Sequence, residues 1–472
     1  MIKPQIMSLG ASPGFHDIAE YFSDRPHFIF LDSRIQGEIN GKYSYIAFDP
    51  FLVFRSKGNK VTIYGRGGQA EHETGNPFDV LSGLLAKYKI DPSFGKETSN
   101  FLGGAIGYFA YELGGQIEKL PERKKGEPPV PECYVCFYDT VFIYDGGKNK
   151  ISLSHCAFEE NAPPASAVER LLDEVAAIPA GIYESSMQHS AENNGPAAGE
   201  VTSDFTKDEY MRAINRVKEY ILAGDVYQVN LTQRFKFSVG SKGNWWIYKM
   251  LMRVNPAPFA CYLNFEDVCV ASSSPERFFK VVDGEVETRP IKGTIGRGAD
   301  PSEDAQNMET LKNCQKNRAE LAMIVDLLRN DLGRVCKPGT VKVKAFPELE
   351  TYASVHHLVA TITGELLEGK SPVDLLRATF PGGSITGAPK IRAMEIIDEL
   401  EPVARGVYTG SIGYLGFNGN ADLNIVIRTI IITGQTGYIQ AGGGIVADST
   451  AEDEYHESIL KAKNLFKALA GG

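Results

Sequence analysis

Lys292 is the residue of this sequence best placed to act as a nucleophile. It follows Pro290 and Ile291, which stiffen an extended segment, and Gly293 comes directly after it. Small neighbours let a substrate approach, and removal from water disfavours the charged form of a lysine. The alternative interpretation is an ordinary surface lysine at the end of a strand.

Glu276 is a candidate proton donor that precedes Lys292 by one predicted hairpin. Pro275 bends the chain, and a turn at Asp283-Gly284 joins two predicted strands, which brings Glu276 toward Lys292. A carboxylic acid beside an amine suits displacement of a hydroxyl group, because hydroxide leaves poorly unless it is protonated. A surface ion pair between Glu276 and Arg277 is the alternative.

Three further glutamates could bind a divalent cation. Glu320 lies in one predicted helix, and Glu454 and Glu457 lie on one face of another. Carboxylates that converge from two helices favour Mg²⁺, which can in turn hold an anionic substrate group. The alternative is an acidic helix start that faces solvent.

Backbone amides and one arginine could bind carboxylates. Gly442, Gly443 and Gly444 expose consecutive N–H groups that could cradle an anion, although glycine-rich runs are commonly turns. Arg428 is charged within an apolar run that predicts a strand over 423–433. A buried arginine needs an anionic partner, either a ligand carboxylate or an internal salt bridge.

Residues 381–390 are similar in composition to a phosphate-binding loop but lack its order. Such a loop has lysine and then serine or threonine directly after its last glycine, whereas Ala388 and Pro389 intervene here. Pro389 is instead predicted to open a helix over 391–400.

The elements that must position these residues are a mixture of hairpins and long helices. Apolar spacing predicts a helix over 206–223, and Asp300 caps a second helix whose apolar seam runs through Leu311, Cys314, Leu321, Val325 and Leu328. Strands are predicted over 28–31, 43–46, 52–54, 135–144, 259–265 and 407–417. This separation favours an α+β fold over a doubly wound parallel sheet. The small, polar stretch 184–204 predicts a linker between regions 1–183 and 205–472.

Composition excludes several classes of protein. The 472 residues carry 49 basic and 59 acidic side chains, a net charge of −10 with no basic cluster, so we expect no nucleic-acid partner. We find no secretory signal and no apolar run long enough to cross a bilayer, which predicts a cytoplasmic protein without a membrane anchor. Seven scattered cysteines fit reduced thiols, and the lone pair Cys133 and Cys136 lacks the second pair of a zinc site.

The segment around Lys292, together with these motifs, resembles the chorismate-utilising enzyme family, strongly over residues 205–470 and loosely over 25–150. The resemblance implies two facing antiparallel sheets with helices packed outside and an active-site cleft between the halves. It also implies that Lys292 attacks C2 of Mg²⁺-bound chorismate while Glu276 protonates the departing C4 hydroxyl. Ammonia would then add at C4 and expel the lysine. Lysine at this place is typical of the branch that serves p-aminobenzoate and folate synthesis, whereas the anthranilate and isochorismate branches usually have alanine.

The resemblance assigns the remaining site residues as well. It implies Glu320 and Glu457 as Mg²⁺ ligands with Glu454 nearby, although Asn317 stands where some relatives have another acid. The substrate would be bound by the three glycines at its ring carboxylate, by Arg428 and Tyr408 at its enolpyruvyl carboxylate, by the hydroxyls of Ser384 and Thr386, and by His357 beside the ring. Gln228 stands where relatives that add water have a lysine, and glutamine cannot activate water.

The sequence also bears on the partners of the protein and on alternative functions. The chain has no Gly-x-Cys-x-Gly segment of a glutaminase, so ammonia from glutamine would require a separate amidotransferase subunit, and removal of pyruvate a separate lyase. Residues 31–33 resemble a segment that forms a tryptophan pocket in the family, and its occupancy here is open. The alternatives are the anthranilate branch, a lysine Schiff-base enzyme with pyridoxal phosphate, and a non-catalytic binding protein.

Overall fold

Short strands with alternating side chains build two antiparallel sheets, each of 12 strands within the described part of the chain. The computed structural model describes residues 2–10, 12–33, 41–121, 129–158, 165–192, 198–352 and 355–471. In the strand Phe28–Asp32, Phe28 and Phe30 pack with helices, whereas Ile29 belongs to the core between the sheets. This period of two is what a sheet covered on both faces requires.

The first sheet contains strands from both ends of the chain. In spatial order its strands are Gln5–Ser8 (β1), Lys150–His155 (β10), Thr140–Asp145 (β9), Tyr43–Ala47 (β3), Phe28–Asp32 (β2), Phe259–Asn264 (β13), Cys269–Ser274 (β14), Thr429–Thr433 (β23), Thr436–Ile445 (β24), Gln228–Ser238 (β12) and Thr202–Ser203 (β11), with Gly387–Ala388 (β20) paired to β12.

The second sheet is built in the same way. Its strands are Ile291–Gly296 (β17), Val355–Glu365 (β19), Glu285–Arg289 (β16), Arg277–Val282 (β15), Ala421–Ile425 (β22), Ser411–Gly416 (β21), Gly104–Phe109 (β7), Cys133–Tyr138 (β8), Leu52–Lys57 (β4), Lys60–Gly65 (β5) and Ala70–Thr74 (β6), with Lys342–Thr351 (β18) paired to β19.

Helices cover the sheets. They are Phe15–Phe22 (α1), Pro77–Lys87 (α2), Ala165–Ala176 (α3), Ile182–Glu192 (α4), Lys207–Leu222 (α5), Asn244–Val254 (α6), Pro301–Asn313 (α7), Gln315–Gly333 (α8), Pro372–Thr379 (α9), Lys390–Leu400 (α10) and Ala451–Leu469 (α11). Short 3₁₀ turns occupy Tyr111–Gln116 and Gly383–Ile385. The predicted α+β class, with two antiparallel sheets and helices, is confirmed.

Several local predictions are confirmed, and others are wrong. Thr206 caps α5 and Asp300 caps α7 through side-chain hydrogen bonds, and Pro389 is the residue just before α10. The single long helix predicted after Asp300 is wrong, because Cys314 has an extended ψ of 105° and separates α7 from α8. The strand predicted over 423–433 is also wrong, since it is divided between β22 and β23.

The predicted linker begins as a helix. α4 reaches Glu192, so the first part of the stretch 184–204 is helical. Residues 193–197 of that stretch lie outside the described residues. Strands from before and after the linker lie side by side in both sheets, as in the pairs β2–β13 and β7–β21.

Two further observations concern the thiols and the helices. All seven cysteines are free thiols. Among the helices of the described residues, none combines the length and the apolar character that crossing a membrane requires.

Candidate active site

Two of the places where the chain passes from one sheet to the other are adjacent, and both carry a predicted site residue. β14 of the first sheet leads through Pro275 and Glu276 into β15 of the second sheet. β22 of the second sheet leads through Arg428 into β23 of the first. The crossings are tied together, since Ser273 N–H donates to the Arg428 carbonyl (3.1 Å) and Ile425 N–H to the Glu276 carbonyl (3.0 Å).

Lys292 lies on β17, against the helix that carries Glu320. A register shift in the β17–β19 ladder follows Lys292, where Gly293 has a φ of 77°. A side chain at Gly293 would collide with Asn317 of α8, so glycine permits this close approach. Lys292 is half-buried. Burial lowers its pKa, although the negative charges of Glu320 and Glu276 oppose that shift.

Glu276 is buried beside this lysine. Its side chain is 7% exposed, and burial raises its pKa to about 7. The Ser384 hydroxyl, the positive charge of Lys292 and the N–H of Ile291 limit the rise. The alternative of a surface ion pair with Arg277 is wrong, because that guanidinium pairs with Asp422 at 3.0 Å on a different face of the chain. The structure therefore brings Lys292, Glu276 and Ser384 together.

Glu454 and Glu457 converge on Gly443. A methyl group placed on Gly443 would lie 3.0 Å from Glu454 Oε2 and 3.4 Å from Glu457 Oε1. Ser449 donates a hydrogen bond of 2.6 Å to Glu454, whose pKa is raised by burial. Burial opposes ionisation of Glu457, but Lys461 at 2.5 Å outweighs it and lowers the pKa of that carboxyl.

The donor chemistry of these carboxylates fits a hard cation, although they do not form a closed cage. Within the described residues, no three acidic, histidine or cysteine side chains come close enough to hold one ion together. Glu454 and Glu457 nevertheless meet at one glycine, and the charge of Glu320 acts on the neighbouring Lys292. Two ammonium groups accompany the pair: Lys461 contacts Glu457, and Lys316 lies 4.0 Å from Glu454. Two of the three predicted ligands are thus brought together.

The glycine run is a strand rather than a turn. Gly442, Gly443 and Gly444 belong to β24 and pair with β12, whereas pairing with β23 ends at Ile439. One edge of the run therefore has no strand beside it among the described residues, and N–H groups on that edge can meet a ligand. Lys461 Nζ donates to the Gly442 carbonyl at 2.9 Å.

Arg428 has a constrained backbone and spare donor capacity. Its φ is 54°, and its Nη1 donates to the Lys461 carbonyl at 2.6 Å. No described carboxylate forms an ion pair with it, which argues against the internal salt bridge considered above. Burial lowers its pKa, opposed by Tyr408 and Glu457, so Tyr408 belongs to the same neighbourhood. A guanidinium in this state suits the carboxylate of a ligand.

Gln228 is completely buried, and both polar atoms of its amide lack a hydrogen-bond partner among the described residues. It abuts Gly444, where no side chain could fit beside it. A buried amide without partners is costly, so the amide requires a polar partner that the described residues do not supply.

Of the remaining predicted residues, His357 lies beside the strand of Lys292, whereas the hydroxyl of Thr386 is used within its own loop. His357 lies on β19 beside β17, with its Nδ1 2.8 Å from Thr294 Oγ1, and burial lowers its pKa. The hydroxyl of Thr386 is fully buried and donates to the Gly382 carbonyl at 2.9 Å, so its donor is used within its own loop.

The sequence reasoning missed Lys461. The residue lies four positions after Glu457 in α11, where the spacing of a helix places both on one face. That spacing was the available signal, but surface helices have many such pairs.

A separate cavity of about 180 Å³ lies beside Leu31, Asp32 and Ser33. Arg277 and Tyr414 also line it. It lies at the segment that resembles the tryptophan pocket of the family.

Comparisons with known proteins agree with this architecture. The family described as "chorismate binding enzyme" matches residues 27–467. Anthranilate synthase component 1 of Acetivibrio thermocellus is 41% identical over 450 residues, 93% of this chain and 89% of that protein. Aminodeoxychorismate synthase component 1 of Escherichia coli (strain K12) is 40% identical over 458 residues, 96% of each. The crystal structure of anthranilate synthase component I from Streptococcus pneumoniae TIGR4 has a TM-score of 0.77 at 30% identity, covering 92% of this chain and 95% of that one.

Proposed function

This chain belongs to the chorismate binding enzyme family, and from that premise we propose that it is component I of an aminodeoxychorismate synthase. The observation that carries the proposal is the pairing of a lysine whose pKa is lowered with a buried carboxyl whose pKa is raised to about 7. An amine nucleophile and a proton donor are what replacement of the C4 hydroxyl through a covalent adduct requires.

The proposed reaction has two displacements. The neutral amine of Lys292 bonds to C2 of chorismate, the ring double bonds shift, and the C4 hydroxyl leaves as water with a proton from Glu276. Ammonia then bonds to C4, the double bonds shift back, and the lysine amine leaves C2. The product is 4-amino-4-deoxychorismate, a precursor of p-aminobenzoate and folate. Gln228 supports the choice of ammonia, because an amide cannot act as the base that water would need.

Mg²⁺ is the cofactor of this proposal: Glu454 and Glu457 would hold it, and Glu320, which lies outside their cluster in this structure, would complete the ligand set. The ion would supply positive charge to the substrate carboxylate. Lys461 and Lys316, which contact Glu457 and Glu454 in this structure, would share those carboxylates with the ion. Arg428 and Lys461 then remain as cations for the second carboxylate of chorismate.

The alternative within the family is an anthranilate synthase component I, which the relative from Acetivibrio thermocellus favours. The two identities of 41% and 40% differ too little to choose. Incubation with chorismate, Mg²⁺ and ammonium, with and without an aminodeoxychorismate lyase, separates the two by chromatography. We expect 4-amino-4-deoxychorismate alone, converted to p-aminobenzoate only when the lyase is added. Fluorescent anthranilate formed without the lyase would reject the proposal.

The source of ammonia belongs to the same proposal. A separate glutamine amidotransferase subunit would supply it, and the names of the relatives as "component 1" support a partner. Without that subunit, ammonium should support the reaction and glutamine should not.

Tryptophan is the proposed occupant of the cavity beside residues 31–33. Its binding would be seen by calorimetry, and Ser33→Trp, which fills the cavity, should abolish the signal. An unchanged signal in that variant would place the ligand elsewhere.

A further inference from the structure

Arg405 is one of the most deeply buried charged residues of the protein, and the site residues described so far do not include it. It is 2% exposed, as is its partner Glu401. The guanidinium forms a bidentate pair with that carboxylate, Nε to Oε2 at 2.9 Å and Nη2 to Oε1 at 2.6 Å. The guanidinium of Arg405 also packs over the aromatic ring of Tyr111, with 4.8 Å between Cζ and the ring centroid.

The remaining donors of Arg405 reach three separate segments. Nη1 donates to the Ile385 carbonyl at 2.9 Å and approaches Thr409 Oγ1 at 3.3 Å, and Nη2 donates to the Asn230 carbonyl at 2.6 Å. Each contacted residue is a near neighbour of a candidate site residue: Ile385 follows Ser384, Asn230 lies two positions after Gln228, and Thr409 follows Tyr408.

The loop that carries Ser384 depends on these contacts. Between α9 and α10, the Ile385 carbonyl accepts from both Arg405 and Asn230 Nδ2 (3.1 Å), and the Thr386 carbonyl accepts from Asn230 N–H (2.8 Å). Glu401 extends the same network, because its Oε1 accepts from the N–H and the hydroxyl of Thr232 on β12.

We propose that Arg405 is a positioning residue, which holds the Ser384 loop and the Gln228 end of β12 in the geometry of the site without touching the substrate. The proposal rests on the proposed function only in taking Glu276 as the group that Ser384 must reach. The planar fork of arginine can bond a carboxylate and three other oxygens at once, whereas lysine is a point charge with three donors.

Four variants test the proposal: Arg405→Lys, Ser384→Ala, the two combined, and Arg234→Lys. Arg234 of β12 is the matched control, because it is also a buried arginine paired with a carboxylate, Asp204 at 2.6 Å, and that ion pair lies outside the Ser384 loop. Circular dichroism and thermal unfolding establish that each variant is folded. If Arg405→Lys does not fold, Glu401→Gln replaces it in the series. That substitution removes the negative charge that pairs with the Arg405 guanidinium and keeps an acceptor for Thr232.

The measured quantity is the pKa of Glu276 in the protein without substrate. It is obtained from the pH dependence of the infrared band of the Glu276 carboxyl group, and the band is assigned by its loss in Glu276→Gln. The charged group that faces Glu276 is Lys292 of β17, so the series is repeated in Lys292→Met. The Ser384 hydroxyl stabilises the ionised carboxylate, so Ser384→Ala should weaken the acid about tenfold.

Arg405→Lys should reproduce most of that change, and the combined variant should add little to Ser384→Ala. Arg234→Lys should lower stability and leave the acidity of Glu276 unchanged. A folded Arg405→Lys variant with an unchanged Glu276, or an effect that adds fully to Ser384→Ala, would overturn the proposal. Because no substrate is used, a wrong product in the activity test would not affect this result.

Discussion

At the scale of single residues, burial shifts Lys292 and Glu276 in opposite directions. It lowers the pKa of the amine and raises the pKa of the carboxyl to about 7. An amine with a carboxylic acid has the same number of protons as an ammonium with a carboxylate. A buried environment favours the first, uncharged, pair. A proton moved from the Lys292 ammonium to the Glu276 carboxylate readies both groups for the proposed reaction.

Replacing Lys292 tests the nucleophile. Lys292→Ala should reduce formation of the aminated product by at least about 100-fold, because no amine remains to form the adduct. Lys292→Arg is the matched variant: it retains a cation of similar length, but a guanidinium stays protonated and should be equally inactive. Chromatography of the product gives the rates, and mass spectrometry of the quenched wild-type protein should find chorismate-derived mass on Lys292. Full activity in either variant would show that the amine is not the nucleophile.

The pH dependence tests the proton donor. Glu276 must be protonated to donate, so its contribution is present below a pH of about 7 and is lost as the pH rises through that value. Glu276→Gln should lower the rate by about 100-fold or more and remove the decline on the alkaline side. Rates measured at saturating chorismate over a range of pH give both results. An alkaline decline that persists in Glu276→Gln would assign it to another group.

The sequence could predict some members of the site and not others. The turn at Asp283-Gly284 indicated that Glu276 and Lys292 approach each other, because hairpin turns leave a local signal. Lys461 left only the common i, i+4 spacing with Glu457, and Arg405 left no such signal, since its importance comes from its contact with Ile385 in another part of the chain. Long-range contacts of this kind are not encoded in local spacing.

At the scale of elements, the main surprise is that the predicted strand over 423–433 belongs to two sheets. Its residues are mostly apolar on both sides of Arg428, so the composition is the same as for one buried strand. The left-handed backbone of Arg428, with a φ of 54°, turns the chain from β22 into β23. The bend at Cys314 between α7 and α8 is similar, because an apolar seam continues through it. Periodicity identifies faces of elements but not breaks within them.

The N-terminal caps of two helices offer a matched test of the metal site. Thr450 caps α11 and Thr206 caps α5, each accepting a hydrogen bond from the backbone N–H three residues later. Replacing either by alanine should cost about 1 kcal/mol of stability in urea unfolding. Only Thr450→Ala loosens the turn that carries Glu454, so it alone should weaken binding of Mg²⁺. Competition between Mg²⁺ and Mn²⁺, measured by electron paramagnetic resonance, gives the affinity. Equal affinity for Mg²⁺ in the two variants would show that the start of α11 does not contribute to the metal site.

At the scale of the whole molecule, the two regions divided by the predicted linker are interleaved. β2 pairs with β13 in one sheet, and β7 pairs with β21 in the other. The sequence indicated the α+β class and a facing pair of sheets through the family resemblance. It could not indicate which strands pair across the linker, because strands of both regions have the same apolar alternation.

This interleaving predicts how the chain responds to division. Residues 205–472 expressed alone would leave β13 and β21 as open edges with buried apolar side chains such as Ile412 exposed, and should aggregate. A protease site inserted at 193–197 is the matched control, since cutting there breaks one covalent link and leaves every strand pair in place. The cut chain should elute as one species in gel filtration and unfold in one transition. Cut halves that separate, or a 205–472 fragment that is monomeric and unfolds cooperatively, would mean that each region folds by itself and that the shared sheets contribute little to stability.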